Sequence, residues 1–166
     1  GIKKSINELF ENLSMPYEMI PELATYCKKN DIQFMSTPFS IKDAEEIDPY
    51  VRIHKLASFE LNHVRLIEFL ISTNKPVLLS TGASSVPEID FSVNLLKSNL
   101  VDFALLQCTS CYPASLNSLN LDVIPFLNKK YNVPVRFSDH SIDPIIAPIV
   151  AVALGARVIE KHFTIN

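Results

Sequence analysis

The chain has 166 residues, 48% of them apolar, with 18 acidic and 15 basic side chains and a formal net charge of −3. That is enough apolar material for one sizeable core in a single domain. Neither sign forms a long run, which argues against nucleic acid or an anionic membrane as partner, since both leave a basic patch. A small anionic substrate remains open, because a few lysines suffice to hold one. No apolar stretch approaches the roughly 20 residues that span a bilayer, and Pro148 interrupts the apolar run 145–153. The opening residues lack the charged-then-apolar pattern of a signal peptide, so the cytoplasm is the expected compartment. Beginning on Gly1 rather than Met suggests a trimmed chain. The three cysteines, Cys27, Cys108 and Cys111, read as reduced and buried; a single CxxC at Cys108–Cys111 is a weak signal for zinc or redox chemistry.

Along the chain, apolar runs that end in Ser, Thr, Asp or His alternate with amphipathic stretches. The runs cover residues 32–37 (IQFMST), 53–58 (IHKLAS), 76–81 (PVLLST), 103–109 (FALLQCT), 133–139 (VPVRFSD) and 157–163 (RVIEKHF). Helices are predicted at 16–29, 62–72, 87–97, 121–131 and 144–154. The first carries Met19, Ile20, Leu23, Ala24 and Cys27 on one stripe, Ser84 or Ser85 is placed to cap the third, and Gly155 ends the last. Strand runs without polar alternation belong where both faces of a sheet are covered. The fold class is therefore α/β with a parallel sheet. With only three glycines, the chain lacks the glycine-rich turn of a dinucleotide-binding sheet. Polar residues at the C-terminal ends of all six runs point instead to a TIM (β/α)8 barrel, whose active site is built there. Only about six of its eight units are present.

Two histidines occupy matched positions. His140 follows the run ending Ser138-Asp139, and His162 lies 22 residues on. Adjacent parallel strands lie about 4.8 Å apart, so both rings can converge on one divalent ion. Two buried, hydrogen-bonded histidines are the competing reading. His54 begins its strand, at the end away from catalysis, and reads as structural; His63 has no such match.

Thr37, Ser58, Ser80 with Thr81, Thr109 with Ser110, and Ser138 form a ring of short donors at one rim. They either bind a phosphate or cap the helices that follow. Lys55 and Lys161, inside apolar runs, need anions: Glu60, Glu160 or a ligand phosphate.

The strings STPFS (36–40), HKLASFE (54–60), KPVLLSTGAS (75–84), LLQCTSCYP (105–113), FSDHS (137–141) and AVALGARVIEKHFT (151–164) resemble, in order and spacing, the sialic acid synthase family. That family includes N-acetylneuraminic, legionaminic and pseudaminic acid synthases and relatives in spore-coat polysaccharide synthesis. The resemblance covers nearly all of the chain from Phe34 onward. It implies a barrel in which His140 and His162 are catalytic and hold Mn2+ or Mg2+, which polarises the open-chain aldehyde of an N-acylated hexose such as N-acetylmannosamine. Phosphoenolpyruvate then attacks through C3, and phosphate leaves with C–O cleavage. It further implies that Thr37, Lys55, Ser58, Ser80, Ser110 and Ser138 contact phosphoenolpyruvate and that Tyr112 lies against the sugar.

The family begins with two further strands, which carry a catalytic glutamate and a second phosphate-binding lysine. It ends in an antifreeze-like domain that lends an arginine to the partner subunit of a homodimer. On this reading residues 1–166 hold the third to eighth units, inactive alone, with Phe34, Met35, Val158 and Ile159 partly uncovered at open edges. Arg136 stands where many members have glycine, and Ala114-Ser115 departs from the usual proline pattern, which leaves the acceptor sugar open. The rival readings are a non-catalytic truncated paralogue and a metal-dependent aldolase that handles pyruvate without phosphate.

Overall fold

A computed structural model describes residues 14–164. Five strands, β1 (His54–Leu56), β2 (Val77–Ser80), β3 (Phe103–Cys108), β4 (Val135–Asp139) and β5 (Ile159–Lys161), form one parallel sheet in the order β1-β2-β3-β4-β5. Each new strand joins beside the one before it, with no reversal. A doubly wound sheet has a reversal point; a barrel does not. The five strands curl into a half-barrel compatible with part of a TIM barrel.

Among the described residues the α-helices are α1 (Met19–Lys29), α2 (Ile41–Ile47), α3 (Val64–Ser72), α4 (Val86–Ser98), α5 (Val123–Tyr131) and α6 (Ile146–Ala153). Their ends follow local chemistry. The His63 ring accepts from Leu66 N–H at the start of α3, and Ser85 with Glu88 makes a capping box on α4. Gly155, at φ +104°, turns the chain out of α6 in a conformation that suits glycine.

The two sheet faces differ sharply. Val77, Leu79, Leu105, Val135 and Phe137 face outward and pack on Leu66, Ile67, Leu70, Val93, Leu96, Ile124, Leu127, Ala147 and Ala151 of the helices. By the two-residue alternation of a strand, Lys55, Ser80, Leu106, Cys108, Ser138 and Glu160 face inward. The outer layer is a continuous apolar core, and the inner layer turns polar towards the strands' C-terminal ends.

Three expectations need correction. The run 32–37 is not a strand of this sheet, so the described residues hold five strands where six were expected. Ile32 N–H bonds back to Cys27 O at the exit of α1, and His54 N–H bonds to Pro76 on the β2 side. Phe34 instead packs with Ile20, Ile47 and Val51 in a small separate cluster. Second, α2 was not anticipated; Ser40 caps it by accepting from Asp43 N–H. Third, the cysteines are free but not all buried: only Cys108 is, while Cys27 is half-buried and Cys111 exposed. Met35 (37%) and Val158 (41%) are exposed, whereas Phe34 and Ile159 are half-buried.

At the N-terminal ends of the strands, His54 is completely buried and its Nε2–H donates to Asp48 Oδ1 at 3.0 Å. Lys75 Nζ reaches the same oxygen at 2.8 Å. The three side chains tie the 3₁₀ turn Asp48–Tyr50 to β1 and to the entry of β2. Burial holds the His54 pKa below its ordinary 6.5, outweighing the pull of the Asp48 carboxylate. The folded state therefore binds the proton more weakly than the unfolded chain, and the stability this confers is full above about pH 6.5 and lost as pH falls. The urea midpoint should drop between pH 7.5 and 5.5, and His54→Gln should flatten that drop; an unchanged pH dependence in the variant would remove His54 as a cause.

Candidate active site

The inner face gathers most of the residues singled out from sequence. Lys55, on β1, donates from Nζ to Ser80 Oγ at the end of β2, 2.8 Å away. Both side chains are buried, Lys55 at 6% and Ser80 at 2% exposure. On the other side Lys55 Nζ lies 3.7 Å from Glu160 Oε1 on β5. Ser138, at the end of β4, donates to that same oxygen at 2.6 Å. Because Ser138 pairs with Glu160 and Cys108 with Ser138 in the parallel register, these side chains stand level on neighbouring strands.

His140 follows β4 directly. Its Nδ1–H donates to Thr109 O at 2.7 Å, which makes Nε2 the acceptor nitrogen of the ring. Tyr112 Oη lies 3.2 Å and Ser138 Oγ 3.3 Å from Nε2. The Ser138 hydroxyl has one proton, and the shorter bond to Glu160 takes it, so Tyr112 is the donor to His140. The Tyr112 ring stacks on His140 with centroids 4.1 Å apart, and the exposed His162 ring stands edge-on, 5.6 Å from that of His140. Burial keeps His140 below its ordinary pKa, against the opposing pull of the Thr109 carbonyl, so the ring is neutral at pH 7. Burial raises the Tyr112 phenol, which therefore stays protonated.

A neutral imidazole with one nitrogen fixed on a backbone carbonyl and the other directed inward is the usual arrangement of a metal-ligating histidine. His140 has this form, and His162 is close enough to share an ion. Among the described residues no group of three or more His, Cys, Asp or Glu is disposed to hold a metal.

A second group adjoins the first across the β3–β4 pair. Ser58, in the turn after β1, accepts Gly82 N–H at 3.0 Å and contacts Cys108 Sγ at 3.1 Å. A Cβ on Gly82 would stand 2.4 Å from Cys108 Sγ, 2.7 Å from Ser110 Oγ and 3.0 Å from Cys108 O. Gly82 thus lets the β2 and β3 ends close together, a requirement sequence reasoning missed although the chain has only three glycines.

The other expected residues fall elsewhere. Thr37 lines a groove of about 780 Å³ with Tyr17, Ile20, Phe39 and Asp43, away from the histidine pair. Thr81 and Thr109 spend their hydroxyls on the carbonyls of Leu106 and Ser118, so both are ties within the fold. Lys161 faces the opposite way from Lys55 and pairs with buried Asp139 at 2.7 Å, an internal salt bridge.

The whole chain, residues 1–166, matches the NeuB family. The chain belongs to that family. It is 37% identical over 166 residues to the pseudaminic acid synthase of Campylobacter jejuni, covering 99% of this chain and 48% of that protein. It is 42% identical to an uncharacterized protein of Methanocaldococcus jannaschii, covering 99% of this chain and 49% of that protein. Among solved structures, an N-acetylneuraminic acid (sialic acid) synthetase from Leptospira borgpetersenii superposes with a TM-score of 0.91 at 34% identity, covering 98% of this chain and 58% of that one. The chain thus spans about half the length of the curated NeuB relatives it matches.

Gly82→Ala should destabilise the fold by about 1–3 kcal/mol in urea denaturation, the usual cost of forcing an extra methyl into a packed site. A cost near zero would mean that the β2 and β3 ends separate freely.

Proposed function

We propose that this chain forms the catalytic half-barrel of a nonulosonic acid synthase, an enzyme that condenses phosphoenolpyruvate with an N-acylated hexose. Phosphoenolpyruvate C3 forms a bond to the aldehyde carbon, water adds at C2, and the C2–O bond to phosphate breaks, so that inorganic phosphate leaves with both electrons of that bond. The observation that carries this reading is Lys55. Its ammonium has three protons to donate, is buried, and among the described residues has one hydrogen bond, to Ser80, and one ion-pair partner, Glu160, at a loose 3.7 Å, with Glu60 acting on it from farther away. Burying an ammonium so sparsely partnered is costly unless a ligand anion completes its contacts.

On this reading Lys55 holds the phosphate or carboxylate of phosphoenolpyruvate. Ser58, Ser80, Ser110 and Ser138 supply neutral donors around it. Tyr112, stacked on His140 yet largely exposed, offers its ring to the acceptor sugar. His140 and His162 would hold a divalent ion, manganese or magnesium, which when bound supplies Lewis-acid polarisation of the acceptor aldehyde. Thr109, through its carbonyl, fixes the His140 tautomer that this role requires. The complete enzyme works as a homodimer.

The test is phosphate release by the chain together with whatever flanking sequence its gene encodes, assayed with metal, phosphoenolpyruvate and N-acetylmannosamine or related N-acylated hexoses. Release that needs both substrates is expected. Pyruvate turnover without phosphate would indicate an aldolase, and ligand binding without turnover a non-catalytic relative. In the same assay Lys55→Ala should raise KM for phosphoenolpyruvate about 10- to 100-fold, the range of a lost charge-assisted hydrogen bond, and change KM for the sugar far less. Equal effects on both would make Lys55 structural.

A further inference from the structure

We propose that Glu160 is a built-in competitor for the anion site: its carboxylate takes the donors that a phosphate needs, and the ligand binds by displacing it. The inference rests on the reading of Lys55 as an anion-binding residue. Glu160 Oε1 accepts the Ser138 hydroxyl at 2.6 Å and stands 3.7 Å from Lys55 Nζ. A single oxygen thus accepts one neutral donor and stands beside one charged group, where a ligand oxygen would sit.

The two sides of this contact differ in freedom. Lys55, Ser80 and Ser138 are buried in the inner wall, whereas the Glu160 side chain is 42% exposed. Within this half-barrel the donors are fixed and the carboxylate borders open space at the edge strand of the sheet. Its hold on Lys55 is also loose, since 3.7 Å lies beyond hydrogen-bond range. A phosphate brings more charge and three acceptor oxygens, and so outcompetes one carboxylate oxygen at the same donors. Displacement has a second effect. The single Ser138 proton, committed to Glu160, becomes available to the ligand.

Binding of inorganic phosphate, measured by calorimetry on the chain with its native flanking sequence, separates the possibilities. Glu160→Gln removes the charge at nearly constant shape and should tighten phosphate binding about tenfold. Glu160→Asp keeps the charge but draws the carboxylate back from Ser138 and Lys55, and it should also tighten binding, by less. Weaker binding in either variant would show that Glu160 holds Lys55 in place and would overturn the proposal. Tightening by Gln alone, with Asp equal to wild type, would reduce the effect to general charge and overturn it as well. If Lys55→Ala abolishes binding while both Glu160 variants match wild type, the anion site stands and the competitor falls. If phosphate does not bind, or binds regardless of Lys55, the anion-site reading fails and this inference fails with it.

Discussion

The site depends on one placement: an ammonium inside the inner layer of a parallel sheet. The strand alternation that sends His54 and Leu56 outward sends Lys55 inward, where no apolar neighbour can stabilise its charge. The structure meets that demand with short polar side chains at the ends of the next strands. Ser80 comes from β2, Ser138 from β4 and Glu160 from β5. Ser80 and Glu160 face the ammonium directly, and Ser138 acts on it only through Glu160; four strands can join in one chain of contacts because all run the same way and end on the same rim. The histidine pair extends this rim, since His140 is the next inward position after Ser138, and His162 the next after Glu160.

The two ends of the sheet solve the burial of polar groups differently. At the N-terminal end, Asp48 Oδ1 accepts from both His54 and Lys75, at 3.0 and 2.8 Å, and ties the two together, although His54 Nδ1 is left without a partner. At the C-terminal end individual contacts are as short, 2.8 Å for Lys55–Ser80 and 2.6 Å for Ser138–Glu160, but the Lys55 ammonium has only Ser80 as a hydrogen-bond partner among the described residues and a carboxylate 3.7 Å away. Close mutual pairing stabilises the fold. Sparse pairing beside a set of aligned donors is what a binding site requires, and NeuB membership is consistent with that division.

Much of this arrangement was legible in sequence. The strand–helix rhythm gave β1 to β5 and five of the helices, because apolar runs covered on both faces and amphipathic helices leave opposite periodicities. Residues 32–37 failed that reading because β propensity alone does not supply a ladder partner; Phe34 found its burial among Ile20, Ile47 and Val51 instead. The seven-residue α2 is too short and too charged to show a stripe. Lys161 found the anion that its place inside an apolar run demanded in Asp139 rather than in Glu60, Glu160 or a ligand, because it stands one residue from Glu160 and so faces the other way. Gly82 and Thr109 were invisible as site residues because their roles lie in close approach and in a backbone carbonyl, neither of which has a side-chain signature.

The measurement that bears most directly on the anion site is a crystal structure with phosphoenolpyruvate bound. The account places a ligand phosphate or carboxylate oxygen about 3 Å from Lys55 Nζ, with Ser138 turned to the ligand and Glu160 withdrawn. Phosphoenolpyruvate bound elsewhere, with Lys55 still held between Ser80 and Glu160, would contradict it.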